Sequence, residues 1–194
     1  VGGQGRAAAA LPAHMNAHGM KRILSIFACG VVLAGCGAPS LPPLALADKV
    51  DLPRFMGDWY VIASIPTFIE KGAHNAVESY RLAKDGSIET TFTFRADGFD
   101  GERKRYAPRG FVADRATNSV WEMQFVWPLK TDYRIVHVSP DYARTVIGRE
   151  KRDYAWIMAR TPTLPDAEYD ALVALLRAQG YDVSLLRKVP QRWT

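Results

Sequence analysis

Gly57-Asp58-Trp59-Tyr60-Val61-Ile62-Ala63-Ser64-Ile65-Pro66 is the stretch on which the reading of this chain turns. A glycine permits a tight lead-in, a tryptophan supplies a large apolar plug, and an apolar run of β-type composition follows. The preceding Leu52-Pro53-Arg54-Phe55-Met56 is too short and too proline-marked for a long helix, but suits one closing turn. A short turn therefore covers one end of something, and a strand starts there with Trp59 plugging that end. An ordinary first strand with a core tryptophan fits the same residues, so the chain downstream has to decide.

Downstream, short alternating runs separated by turn signals predict strands near 57–65, 75–83, 87–96, 103–113, 118–127, 132–138, 143–149 and 154–160. The separators include Lys84-Asp85-Gly86, Asp97-Gly98, Asp100-Gly101, the stretch 128–131 and Pro140-Asp141. Eight strands without an internal repeat are the pattern of an antiparallel barrel or sandwich. One helix follows. Thr163-Leu164-Pro165-Asp166 offers a capping hydroxyl, an early proline and an acid in the first turn. Tyr169, Leu172, Val173, Leu175 and Leu176 recur at helical spacing, and Gly180 supplies the stop. Asp182 to Val189 reads as a last strand, ended by Pro190. The apolar stripe of the helix must be buried, and the outside of the sheet is its one available partner. The expected fold is all-β with one flanking α-helix.

The chain has 194 residues, enough for one domain with a substantial core. Its formal charge of +5 suggests a nucleic-acid binder until the charges are located. Arg6, Lys21 and Arg22 stand in residues 1–35 without an acidic residue; taking those three from 25 leaves 22 basic against 20 acidic. The basicity is partly a targeting feature, and no nucleic-acid partner is expected. Cys29 and Cys36 both precede the first strand, so the folded part has no internal disulfide, thiol nucleophile or cysteine metal site.

Residues 1–19 are Ala/Gly-rich and read as an upstream extension or a cloning remnant. Residues 20–35 have the pattern of a signal peptide: the basic pair Lys21-Arg22, the apolar run 23–33, then Leu33-Ala34-Gly35-Cys36. The run is short of the roughly 20 residues that span a bilayer. Residues 36–49, rich in Pro, Ala and Leu, read as a semi-extended tether. The barrel domain is placed at 50–194.

In these features the sequence resembles the lipocalins, specifically bacterial lipocalins, which are outer-membrane lipoproteins also similar to apolipoprotein D. The G-x-W-Y motif of that family stands here as Gly57, Trp59 and Tyr60. Its arginine at the end of the eighth strand is matched by Arg160, within the stretch 154–162. Its T-D-Y motif has two candidates. Thr131-Asp132-Tyr133 matches the letters but falls before the sixth strand; Asp141-Tyr142 opens the seventh and is chosen. The resemblance covers about residues 50–190 and implies an eight-stranded antiparallel up-and-down barrel, closed and able to hold one small ligand. By the same resemblance, Leu33-Ala34-Gly35-Cys36 is a lipobox, Cys36 carries acyl chains, and Gly37 in place of Asp implies the outer membrane. It also implies that Arg160 packs across Trp59.

Alternation places Phe92 and Phe94 on one face of strand 87–96, and Trp121, Met123, Phe125 and Trp127 on one face of strand 118–127. Such stripes usually fill a core, but the resemblance implies a cavity inside them. Tyr106, from the strand between, is a polar contact, and His137 alternates with Ile135 and Tyr133 towards the same space. For catalysis the sequence offers no G-x-S-x-G, Cys–His pair, H-E-x-x-H, G-x-G-x-x-G or Walker loop. No cofactor or metal is expected. The function expected is lipid-anchored binding, with storage or transport, of a fatty acid, lysophospholipid or similar amphiphile. A lipocalin-fold enzyme acting on such a ligand is the alternative.

Overall fold

The structure, a computed structural model, describes residues 41–193. Leu52–Phe55 forms a single helical turn (α1), capped by the Asp51 carboxylate, which accepts from the Arg54 amide at 3.2 Å. Then come β1 (Gly57–Ile65), β2 (Ala73–Leu82), β3 (Ile88–Ala96), β4 (Arg103–Tyr106), β5 (Arg109–Val112), β6 (Val120–Val126), β7 (Leu129–Val138), β8 (Arg144–Gly148) and β9 (Ala155–Ala159). Neighbours in sequence pair antiparallel, and β9 returns to pair with β1, which closes the sheet. Both β4 and β5 pair with β3. They are one barrel strand interrupted at Ala107-Pro108, where the proline has no amide to give the ladder. The result is a closed eight-stranded antiparallel barrel with a single flanking helix, α2 (Asp166–Ala178).

Two apolar cores explain why some strands alternate in hydrophobicity and others do not. The interior core holds Trp59, Val61, Ile88, Trp121, Met123, Ile135, Ile147 and Met158. The outer core, beneath α2, holds Ile62, Val136, Val146, Ile157, Leu172 and Leu176. Strands β1, β8 and β9 contribute to both, so their two faces are apolar and their sequence runs are nearly continuous. The helix starts differently from the sequence expectation. Its N-cap is Pro165 without a side-chain cap, and the Thr163 carbonyl instead accepts from the Thr161 hydroxyl at 2.8 Å. Asp166 and Glu168 in the first turn favour the helix dipole, and Glu168 also meets Arg144 at 2.7 Å.

The two ends of the domain also depart from expectation. The stretch expected as a tether through residue 49 is docked from Pro42 onward. Arg152 Nη2 donates to the Pro42 carbonyl at 2.6 Å, the Leu44 amide to Glu150 Oε1 at 3.2 Å, and the Ala47 amide to the Ile135 carbonyl at 3.0 Å. Leu44 is buried in the outer core. Apolar side chains read as tether composition are therefore part of the wall. The signal segment and Cys36 lie outside the described residues. At the C-terminus, Asp182 caps a 3₁₀ turn at Val183–Leu185, so the expected strand shrinks to β10 (Arg187–Lys188), which pairs with Ala63 and Ser64. Beyond it, the Val189 amide donates to the Ile62 carbonyl at 2.9 Å and Gln191 Nε2 to the Val61 carbonyl at 2.8 Å. A bulge between Val61 and Ala63 takes β1 out of register there, and the C-terminal segment pairs the freed backbone.

One end of the barrel is sealed by α1, and Arg160 holds the seal. Its guanidinium lies 3.7 Å from the Trp59 ring centroid. It donates to the carbonyls of Asp58 (2.8 Å), Arg54 (2.9 Å), Phe55 (3.1 Å), Met56 (2.8 Å) and Tyr142 (3.3 Å). Gly57 makes room for it: at φ +94° a Cβ there would be strained and would sit 3.3 Å from Arg160 Nη1. Asp141 and Tyr142 join the same end. The Tyr142 hydroxyl accepts from the Asp51 amide at 2.8 Å, and Arg54 lies over its ring at 4.1 Å. Below α1, Phe55 packs on Trp59, Tyr80 and Trp121 at centroid distances of 5.1, 5.6 and 5.5 Å. Removing Arg160 forfeits a cation–π contact and takes a donor from each of these carbonyls, of which Phe55's keeps Trp59 Nε1 at 2.9 Å. Arg160→Ala is expected to lower stability by about 2–3 kcal/mol, roughly 5–10 °C in Tm. Arg160→Lys, with no fork to span several carbonyls, should recover less than half of it. Thermal and urea unfolding would measure both, and an unchanged Tm in the alanine variant would refute the role assigned to Arg160.

Candidate functional site

With one end filled by aromatic rings, the space in the rest of the barrel is a cavity of about 530 Å³. Its lower wall is Phe92 from β3, Met123 from β6, Tyr133 from β7 and Glu78 from β2. Register explains the grouping: Glu78 pairs with Phe92 on one side and Trp59 on the other, which sets it directly above the sealed end. Tyr106, opposite Phe92, and Trp156 from β9 continue the wall upward. The mouth is formed by Phe68 and Ile69 of the β1–β2 loop, Phe125 and Val126 of β6, Arg149 after β8 and Tyr154 before β9. An aromatic ladder runs the length of one side. Trp121 stacks on Tyr133 at 5.6 Å, Tyr133 on Trp156 at 6.3 Å, and Trp156 meets Tyr154 at 6.4 Å.

Two glutamates face this apolar space. Glu70 folds inward from the β1–β2 loop, accepting from Trp156 Nε1 at 3.0 Å and from the Thr67 amide at 2.7 Å. Burial raises its pKa, and those hydrogen bonds hold the rise back. Glu78 is 9% exposed. Burial pushes its pKa up to about 8, the Tyr80 hydroxyl opposes the shift, and the Glu70 charge adds to it. Tyr80 and Tyr133 share a hydrogen bond between their hydroxyls beside it, and burial raises both phenols well above their ordinary value. Among the described residues no Lys or Arg forms an ion pair with Glu78. Among the described residues the one cation bordering the cavity is Arg149, at the mouth; it pairs with Asp153 at 3.3 Å and keeps a buried Nε without a partner.

The residue family described as a lipocalin-like domain matches residues 50–191. The chain belongs to the lipocalin family. Temperature-induced lipocalin-1 of Arabidopsis thaliana is 30% identical over 157 residues, covering 76% of this chain and 83% of the plant protein. The outer membrane lipoprotein Blc of Citrobacter freundii is 26% identical over 178 residues, covering 88% of this chain and 98% of that one. In fold, the chain is similar to the cockroach allergen Per a 4, with a TM-score of 0.60 at 15% identity over 79% of this chain and 96% of the allergen.

For this lipocalin, alternation locates part of the cavity wall and misplaces part of it. Phe92, Tyr106 and Met123 border the cavity, and Phe125, 51% exposed, stands at its mouth. Phe94 is buried but does not border the cavity; it stacks on Tyr106 at 6.2 Å and packs on Phe92 at 5.3 Å. Trp121 is wholly buried in the seal, where its Nε1 donates to the Asn118 carbonyl at 2.8 Å. Trp127 is 82% exposed on the β6–β7 hairpin, because the register shifts between Met123 and Val126. A second shift, between Ile135 and His137, turns His137 to the side of Val146, which belongs to the outer core. There burial and Arg144 lower its pKa. Simple alternation assumes an unbroken pleat, and each bulge reverses it. Among the described residues no group of three or more His, Cys, Asp or Glu could hold a metal. Glu70, Glu78, Trp156 and Arg149 escaped assignment, although Glu78 shares its phase with buried Ala76 and Tyr80 in β2; Tyr133, read only as an inward neighbour of His137, does border the cavity.

The buried acid carries a pH signature. The folded-state pKa of Glu78, about 8, lies above the ordinary value of 4.5. Its contribution is therefore fully present below pH 4.5 and is lost as the pH rises through about 8. Relative to Glu78→Gln, which has no proton to lose, the native protein should weaken between pH 5 and 8.5 by on the order of a few kcal/mol. Urea unfolding of both proteins across this range gives the difference. Parallel pH profiles would show that Glu78 is not buried as described.

Proposed function

We propose that this lipocalin is a lipid-anchored binding protein of the bacterial outer membrane that holds a fatty acid, a lysophospholipid or a similar small amphiphile, and stores or transports it. The carrying observation is the aromatic cavity of about 530 Å³, open at one end and sealed at the other. That volume lies within the range of roughly 300–1,000 Å³ typical of small-ligand pockets. Its walls are mainly apolar rings, suited to an alkyl chain, and the chemistry points to binding rather than turnover. A lipid with an anionic head fits tail-inward, because the depth offers it acids and no cation, and Arg149 stands at the mouth. Exposed Phe68, Trp127 and Leu129 stand around or near that mouth, an apolar rim that suits a lipid surface. Attachment rests on Leu33-Ala34-Gly35-Cys36 and on similarity to proteins named as outer membrane lipoproteins.

Burying each chain methylene is worth about 0.8 kcal/mol, about fourfold in Kd, so affinity for saturated fatty acids should climb with length until the cavity is full. Phe92→Asp or Met123→Asp should abolish the gain. Glu122→Gln, which removes an outer pair with Lys130 at 2.7 Å, should not change it. Calorimetry and tryptophan fluorescence read the series; no binding at millimolar concentration for any length would overturn the assignment. For the anchor, labelled palmitate should enter the native protein and not Cys36→Ser, and an unlabelled native protein would remove Cys36 from its role.

A further inference from the structure

Resting on the reading that the cavity holds an amphiphile, we propose that its deep end is a cation subsite, in which Glu78 and the surrounding rings receive the ammonium of a hydrophobic amine. The ligand class is a basic amphiphile: an alkyl or alicyclic body carrying one protonated nitrogen, seated nitrogen-first against the sealed end.

Several observations converge on this subsite. Glu78 is nine-tenths buried, and its side chain borders the cavity rather than filling the seal. Its register partners, Trp59 and Phe92, are aromatic and bring no countercharge. The groups that face it are Tyr80 on its own strand, Tyr133 from β7 and Glu70 from the β1–β2 loop; Asp132, on the same cavity wall, is engaged with Arg134 at 2.8 Å. None of these supplies positive charge. Such an acid is expensive to bury and contributes no ion pair to the fold, so its partner has to come with the ligand. The electron-rich rings of Tyr133 and Trp156, stacked on each other at 6.3 Å, border the path inward and bring no positive charge to it. Glu70, fixed by Trp156 and the Thr67 amide, places a second carboxyl along that path. A fatty acid carboxylate at the same depth would meet two acids and no cation.

Binding of an ammonium should draw the proton from Glu78, so amine affinity should rise with pH as that carboxyl ionises. The deciding experiment titrates the protein with dodecylamine, dodecanol and dodecanoate, each below its aggregation threshold. The pH runs from 6 to 8.5, where an alkylamine with a pKa near that of lysine, about 10.4, keeps its charge. Dodecylamine should bind at least tenfold more tightly than dodecanol at pH 8, with the ratio growing from pH 6. Calorimetry in two buffers of different ionisation enthalpy should show proton release at pH 7 for the amine and none for the alcohol. In Glu78→Gln the amine preference and the proton release should both vanish while dodecanol still binds. The pH and buffer comparisons use only the native protein, so they decide the matter even if the variant does not fold. Equal binding of amine and alcohol, or a preference indifferent to pH, would overturn the cation subsite while leaving the amphiphile reading in place. If none of the three probes binds, both fall.

Discussion

Everything above the sealed end depends on one guanidinium. Arg160 closes the barrel floor by occupying the face of Trp59 and answering five backbone carbonyls, three of them in or next to α1. A one-turn helix has no stability of its own, because most of its hydrogen-bonding groups lie at its ends. Without a donor that can span several carbonyls at once, α1 would have no reason to stay across the opening. With it in place, Phe55, Trp59, Tyr80 and Trp121 pack as a plug, and this aromatic packing is concentrated at one end of the barrel.

That concentration is what leaves the other half available. Interiors normally close-pack, and a void forfeits contacts along its whole lining. Here the loss is offset by the sealed end and by the second core beneath α2, which buries the outer faces of β1, β8 and β9. The docked segment from Pro42 and the C-terminal residues Val189 and Gln191 add to this outer layer. The cavity is thus held open by packing elsewhere. Its lining can then be selected for a ligand, including residues such as Glu78 that burden the fold.

The electrostatics of the cavity follow from the same division. Side chains that satisfy the fold are paired: Asp132 with Arg134, Glu150 with Arg152, Arg144 with Glu168. The Arg144–Glu168 pair is partly exposed and contributes little, whereas Arg152 is buried and needs its partners to be buried at all. Glu78 and Glu70 lie inside, where charge is weakly screened and the identity of a ligand head group matters most. The interior thus has its glutamates in the depth and Arg149 at the mouth.

The sequence by itself determined eight short strands and one flanking helix, and its resemblance to the lipocalins implied that the strands close into a barrel. It did so through local signals: Gly57 and Trp59 at the first strand, turn residues between alternating runs, the helical spacing from Tyr169 to Leu176, and Arg160 at the end of the last barrel strand. Phe92, Tyr106 and Met123 could be placed on the cavity wall for the same reason, since an unbroken pleat fixes which side chains share a face. Only the tertiary structure decided where that pleat breaks. Bulges after Met123 and Ile135 carried Trp127 and His137 away from the cavity, and the seal absorbed Trp121. Docking of residues 42–49 was equally hidden, because a Pro/Ala/Leu run shows its apolar content but not the groove that receives it. The site's acids were hidden for a related reason. A lone glutamate in a strand reads as solvent-facing, and only closure of the sheet around Glu78 turns it inward, to an aromatic depth where no described Lys or Arg pairs with it.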